Sequence, residues 1–132
     1  MTVYETRGNQ YTHVVLRGGT KPNYDTKSVK SCEAQLEKEN LPKKIMIDCS
    51  HGNTNKDYTL QPRVADNCIN QVLKSNRSII GFMLESNIEE GNQKITQDLN
   101  DLKYGVSLTD ACINWESTEK LLLRLAEKLR KR

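Results

Sequence analysis

Three short apolar, β-branched runs punctuate the chain: His13–Leu16, Ile45–Ile47 and Ser78–Leu84. Each is continuous rather than alternating, the pattern of strands buried on both faces of a parallel sheet. Between and after them, apolar residues recur at helical spacing. Asp25 can cap a helix running to about Asn40, with Val29, Cys32 and Leu36 on one side. Pro62 suits the first turn of a second helix, striped by Val64, Ala65, Cys68, Ile69, Val72 and Leu73. Ser117 can cap a third, which turns Leu121, Leu122, Leu125, Ala126 and Leu129 inward. A long loop from about Asn87 to Trp115 precedes that last helix. The order β-α-β-α-β-α predicts βαβ units and a parallel sheet.

The ends of the three runs carry chemistry. Arg17, His51 and Glu85 each sit at or just past the C-terminal end of a predicted strand, 34 residues apart in both steps. Ligands of parallel α/β proteins bind along that edge of the sheet. Arg17 precedes Gly18 and Gly19, so a planar cation stands beside backbone that can turn tightly and approach a phosphate. An ordinary strand-ending turn with a solvated arginine has the same residues. His51 lies in Ile47-Asp48-Cys49-Ser50-His51-Gly52-Asn53, which brings imidazole, hydroxyl and thiol towards one rim position. Its ring can bind a divalent metal or move protons, or be satisfied by neighbouring backbone. Glu85 closes a strongly apolar strand, where a carboxylate is costly to bury without a cation and otherwise turns to solvent. Asp110 reads equally as a loop acid or a helix-start residue. One histidine and two acids suit a borderline or hard divalent metal such as Mn²⁺, Fe²⁺, Co²⁺ or Zn²⁺.

Composition narrows the classes. The 132 residues suffice for one domain with a modest core, and 36% hydrophobic with 28% charged residues is a globular balance. No run approaches the ~20 apolar residues of a membrane span, and the first residues lack a leader pattern, so the expected location is cytoplasmic, with no membrane partner. The net charge of +3 owes much to Lys128, Arg130, Lys131 and Arg132, cations that offset the negative end of the last helix. With aromatic residues at 5%, no stacking surface forms, and nucleic acid is not an expected partner. Cys32, Cys49, Cys68 and Cys112 contain no C-x-x-C pair and fit neither a zinc site nor a disulfide framework. Cys32 and Cys68 fall on apolar stripes, whereas Cys49 lies two residues before His51 and stays open.

Four segments together resemble class I, metal-dependent 3-deoxy-D-arabino-heptulosonate-7-phosphate (DAHP) synthases. Leu16-Arg17-Gly18-Gly19 with Pro22-Asn23-Tyr24 is similar to the family's phosphate-binding segment. Met46-Ile47-Asp48-Cys49-Ser50-His51-Gly52-Asn53-Thr54-Asn55-Lys56 is similar to its metal-histidine segment. Gly81-Phe82-Met83-Leu84-Glu85-Ser86, then Glu90-Gly91-Asn92-Gln93, resembles the metal-glutamate segment. Tyr104-Gly105, then Thr109-Asp110-Ala111-Cys112-Ile113 and Trp115-Glu116, resembles the metal-aspartate segment. The likeness runs in order from about Gly8 to the C-terminus. Departures are Asn87 where the family has histidine, Asn114 where it has glycine, and one extra residue between Glu85 and Asp110.

The resemblance implies a fold: the last three strand–helix units of a (β/α)₈ barrel, incomplete in this chain, with residues 1–132 as one partial domain. It implies that Arg17 is a catalytic residue contacting the phosphate of phosphoenolpyruvate, and that His51, catalytic too, joins Glu85 and Asp110 as three of four metal ligands. The family's metal cysteine, in a Gly-Pro-Cys segment, and its phosphoenolpyruvate lysine and other arginines have no counterpart here. The reaction implied joins phosphoenolpyruvate to erythrose 4-phosphate and water, giving DAHP and phosphate at the first step of the shikimate route. The chain would be a C-terminal fragment, inactive alone, with the N-terminal part of the same enzyme or another synthase chain as partner. A homo-oligomer is expected once the barrel is complete. The competing reading is a non-catalytic half-barrel that binds or regulates a complete synthase.

Overall fold

The computed structural model describes residues 2–131. Three parallel strands form one open sheet in the order β1 (Val14–Leu16), β2 (Ile45–Asp48) and β3 (Ile79–Met83). Helices α1 (Thr26–Lys38), α2 (Gln61–Leu73) and α3 (Trp115–Arg130) follow the strands in turn. The β-α-β-α-β-α order is the expected one, with β1 shorter by one residue at its start, β2 longer by one at its end, and β3 shorter by one at each end.

The expected burial on both sheet faces holds only for one. Val14, Leu16, Ile45, Ile47 and Phe82 point to the side where Val29, Leu36, Val64, Ala65, Cys68, Ile69, Leu121 and Leu125 of the helices form the core. Residues of opposite parity, Val15 and Met46, sit on the other face, and Val15 is 45% exposed. In a barrel that second face looks inward, so its cover comes from other strands. β3 also departs from simple alternation. Ile79 pairs with Ile45 but Gly81 pairs with Met46, which leaves Ile80 as an extra residue in a bulge. Ile80 is exposed, and the bulge resets the parity so that Phe82 and Leu84 again pack on the core.

Capping explains the helix limits. The Asp25 carboxylate accepts from the backbone N–H groups of Lys27 and Ser28, as expected of that residue. The third helix starts earlier than expected. Its cap is Asn114, whose Oδ1 accepts from Ser117 N at 2.8 Å, so Ser117 lies inside the first turn. Asn114 stands where the resemblance expected glycine, and a capping amide gives it a local role there. Across α2 and α3, Arg124 and Lys128 both reach Asp66, at 2.7 and 2.6 Å. That pairing holds the Asp66 carboxyl down at about 2, chiefly through the Arg124 hydrogen bond.

The segment between β3 and α3, expected to be a plain loop, is partly paired. Isolated bridges join Ser86 to Ile113, Gly91 to Cys112 and Asn92 to Ser107. They fold it back on itself and bring Asp110 to the C-terminal edge of the sheet.

Candidate metal and phosphate site

Strand parity delivers the site. Arg17 and Glu85 continue β1 and β3 by one and two residues, and Asp48 ends β2, all on the face opposite the helical core. His51 follows in a 3-10 turn (His51–Asn53) with a left-handed backbone, φ 46°. The four residues singled out in the sequence meet at one mouth, although Arg17 makes no ion pair among the described residues.

The imidazole is oriented from behind. His51 Nδ1 lies 2.8 Å from Asp48 Oδ2, and Asp48 is 3% exposed. That carboxylate accepts the Nδ1 hydrogen, which leaves the Nε2 lone pair facing forward. In front of Nε2 stand Glu85 Oε1 and Asp110 Oδ2, each at 3.6 Å. The three donor atoms lie within 4.8 Å of one another. A lone pair flanked by two carboxylate oxygens is repulsive unless a cation lies between them. The space among Ser50, His51, Lys56, Glu85, Asp110 and Ala111 amounts to about 20 Å³, room for a single ion or water. At ordinary metal–ligand lengths of ~2.0–2.2 Å, the two 3.6 Å separations suit atoms sharing one ion. The donor set and its spacing therefore fit a divalent metal.

Glu85 is held by Ser50, whose hydroxyl the sequence placed at the rim, and by Gln61, which sequence reasoning passed over. Ser50 Oγ donates to Glu85 Oε2 at 2.6 Å, turning the other oxygen towards His51. Gln61, fully buried at the start of α2, clasps the Glu85 backbone: its Nε2 donates to Glu85 O at 3.0 Å, and its Oε1 accepts from Glu85 N at 2.7 Å. Asp110 is the loosest, with about half its side chain exposed. Cys49, which the sequence placed towards the rim, is wholly buried in the core. The Cys68 thiol beside it, and then burial, push the Cys49 thiol well above its ordinary range, so it stays a neutral apolar filler.

The phosphate-type segment is fastened to the metal-type segment. Gly18 has φ +77°, and a Cβ there would come 2.4 Å from the Gly52 carbonyl carbon. Two glycines thus let the loops after β1 and β2 touch, and Gly52 N donates to Arg17 O at 3.1 Å. Asn53 completes the join from below. Its Nδ2 donates to Leu16 O (2.9 Å) and Asp48 O (2.7 Å), and its Oδ1 accepts from Asn23 N (2.8 Å). Asn23 Oδ1 in turn accepts from Gly18 N at 2.8 Å. Above this frame, Arg17, Gly18, Gly19, His51, Gly52, Asn55, Lys56 and Asp110 line an open cleft of about 460 Å³. A larger groove, about 570 Å³, opens at the opposite end of the strands among Lys30, Lys43, Lys74 and Arg77, and gathers no imidazole.

Known proteins share this arrangement of segments. The profile of the DAHP synthetase I family matches residues 1–123. A Tyr-sensitive phospho-2-dehydro-3-deoxyheptonate aldolase of Enterobacter agglomerans is 55% identical over 125 residues, covering 95% of this chain and 59% of that protein. The Tyr-sensitive aldolase of Escherichia coli is 50% identical over 129 residues, covering 98% of this chain and 36% of that protein. A solved phospho-2-dehydro-3-deoxyheptonate aldolase from Francisella tularensis superposes with a TM-score of 0.90 at 43% identity, covering 98% of this chain and 37% of that one. The chain thus spans between about a third and three fifths of the length of these relatives. No helix of the described residues is long and apolar enough to cross a membrane. With a profile match over nearly all of its length and half of its residues shared with curated relatives, this chain belongs to the DAHP synthetase I family.

Proposed function

We propose that these residues form the C-terminal side of a barrel that condenses phosphoenolpyruvate with erythrose 4-phosphate and water, giving DAHP and phosphate. The observation carrying this reading is the convergence of His51, Glu85 and Asp110 beside the Arg17 loop, at the edge where parallel sheets bind ligands. His51 Nε2, Glu85 Oε1 and Asp110 Oδ2 would hold a divalent ion, with Mn²⁺, Fe²⁺, Co²⁺ and Zn²⁺ all compatible with this donor set. When bound, such an ion supplies Lewis acidity at the aldehyde carbonyl of erythrose 4-phosphate.

The protein's own groups do the rest. Arg17 meets the phosphate of phosphoenolpyruvate with a planar, permanently charged fork. Asp48 and Ser50 keep the ligand atoms in place, so little reorganisation is needed as charge develops. The contact of Gly18 with Gly52 fixes the distance between phosphate and aldehyde. The free edges of β1 and β3, and the bare face bearing Val15, support pairing with the remaining strands of the barrel as the chain's partner.

The test uses a complete barrel carrying these 132 residues behind the preceding segment of the Escherichia coli relative. His51→Ala, Glu85→Ala or Asp110→Ala should lower metal content and phosphate release together, with partial recovery in excess metal. Arg17→Ala should keep its metal and lose phosphoenolpyruvate affinity about 10–100-fold, the worth of a charge-assisted contact. If Arg17→Ala lost metal while His51→Ala retained it, the assignment would be wrong.

A further inference from the structure

The chain of β3 outruns its neighbour. Cys49 N donates to Met83 O at 2.9 Å, and beyond that bond the chain of β2 leaves for the 3-10 turn at His51. Glu85 lies two residues past Met83, and among the described residues no backbone carbonyl receives its N–H. Gln61 fills that place. Its side-chain amide meets both groups of the one residue, Oε1 accepting from Glu85 N and Nε2 donating to Glu85 O, as the backbone of an adjacent strand would. Gln61 is the first residue of α2 and fully buried, where an apolar side chain would avoid the cost of desolvating an amide. A grip on the N–H and C=O of one residue fixes the peptide planes on both sides of its Cα, and with them the direction of the Cα–Cβ bond. Ser50, through Oγ on Glu85 Oε2, then has only the rotation of the carboxylate to set. Glu85 O also accepts from Ile113 N at 3.0 Å, a bond made without Gln61 that holds the returning loop of Asp110.

We infer, on the footing of the metal site proposed above, that Gln61 is a positioning residue: it aims the Glu85 carboxylate at the ion shared with His51 and Asp110. Without it, the end of β3 keeps the Ile113 bond but loses the partner of Glu85 N, so the Cα–Cβ bond of Glu85 can swing. The two other ligand candidates are held by different groups, His51 by Asp48 and Asp110 by its own loop, so the effect of Gln61 runs through Glu85 alone.

The complete barrel described above serves as the test, with Mn²⁺ affinity read by equilibrium dialysis and stability by urea unfolding. Gln61→Met keeps length and bulk but removes both hydrogen bonds. Gln71→Met is the control, since it takes a second buried glutamine from the far end of the same helix, one whose Nε2 bonds Tyr24 O and Asn67 Oδ1. Both variants should lower the urea midpoint. Only Gln61→Met should weaken Mn²⁺ binding, by about 10–100-fold, the range for a group that orients a ligand. In a Glu85→Ala background, Gln61→Met should change Mn²⁺ affinity by no more than about twofold, because the residue it acts through is gone. Gln61→Asn keeps a neutral amide but withdraws it by one methylene, so it should weaken Mn²⁺ binding in the same direction and stands in if Gln61→Met does not fold. Parent-like Mn²⁺ affinity in a folded Gln61→Met or Gln61→Asn would overturn the inference. So would an equal loss in Gln71→Met, or a full loss persisting in the Glu85→Ala background. A parent barrel that bound no Mn²⁺ would remove the metal site itself, whereas a parent that binds it beside unaffected Gln61 variants would remove only the role of Gln61.

Discussion

Replacing Asn53 should do more damage than replacing any rim residue of the site, although Asn53 touches no ligand. The side chain is 3% exposed and makes three hydrogen bonds, all to backbone, linking the ends of β1 and β2 to the loop at Asn23. Asn53→Ala strands the Asn23 N–H and takes one donor from each of two carbonyls. An orphaned buried donor costs about 1–3 kcal/mol, and each under-satisfied carbonyl about 0.5–1 kcal/mol, so the loss should be about 2–5 kcal/mol. Against a total stability of about 5–15 kcal/mol, that is a large fraction. Asn53→Asp is nearly isosteric but turns an oxygen towards the Leu16 and Asp48 carbonyls, now 2.9 and 2.7 Å from Nδ2, so it should be worse than alanine. Urea unfolding of the complete barrel gives the differences from midpoints at unchanged slope. An alanine variant within ~0.5 kcal/mol of the parent, or an aspartate variant more stable than alanine, would refute this reasoning.

Other outcomes follow from the same contacts. Asp48→Asn removes the carboxylate behind His51, so metal affinity should fall about 10–100-fold while urea stability changes little; unaltered metal binding would remove Asp48 from the site. Gly18→Ala forces a Cβ to 2.4 Å from Gly52 and occupies φ +77°, so phosphoenolpyruvate affinity and metal content should drop together; an unchanged variant would mean the loops can part freely. The Asp66 carboxyl, lowered from 3.8 to about 2, stabilises the α2–α3 contact fully above its unfolded value, and this is lost as pH falls through that range. The shift sets an upper bound of about 2.4 kcal/mol, which solvent around the half-exposed Arg124 reduces to about 1 kcal/mol. Asp66→Asn should therefore flatten the acid side of the stability profile between pH 4 and 2, and identical slopes in the two proteins would count against the pairing.

The strands, the helices and the rim residues Arg17, His51 and Glu85 were legible because each announces itself locally, whereas Asp110 read equally as a loop acid and was singled out only through the resemblance. A continuous β-branched run followed by a polar residue marks a strand end, and equal spacing of Arg17, His51 and Glu85 reflects equal strand–helix units. What sets those residues in place was not legible. Asp48 and Cys49 are adjacent, yet one backs the imidazole and the other fills the core. Only strand parity separates them, and the parity of a four-residue strand is fixed by its pairing partners. The β3 bulge at Ile80 shows the same limit, since an extra residue is invisible until the opposite strand is known. Gln61 reads as an ordinary helix-start polar residue, and its clasp on Glu85 spans 24 positions. Asn114 was passed over as the cap because Ser117 offers an equally good capping side chain three residues on.

The site also explains why so much of it can reside in three strand–helix units. Parallel strands of equal pitch present their terminal side chains side by side, so a cluster of ligands needs only adjacent strands and one returning loop. Glu85 arrives from β3, His51 from the turn after β2, and Asp110 from the loop that pairs back onto Ser86 and Gly91. Their supports come from the same units: Asp48 from β2, Ser50 from the turn, Gln61 from α2. Closing the barrel is a different requirement, because the face bearing Val15 has no layer of its own to cover it. Ligand placement is thus local to this arc, whereas burial of its inner face is not. The phosphate-type segment joins the two, since Arg17 directly follows β1, the strand at one free edge, and its loop is tied through Gly18, Asn23 and Asn53 to the end of β2, just before the turn that carries the imidazole. Strands added at that edge would therefore reach the His51 turn through the Gly52 N–H on Arg17 O and through Asn53, whose amide bonds the Leu16 and Asp48 carbonyls.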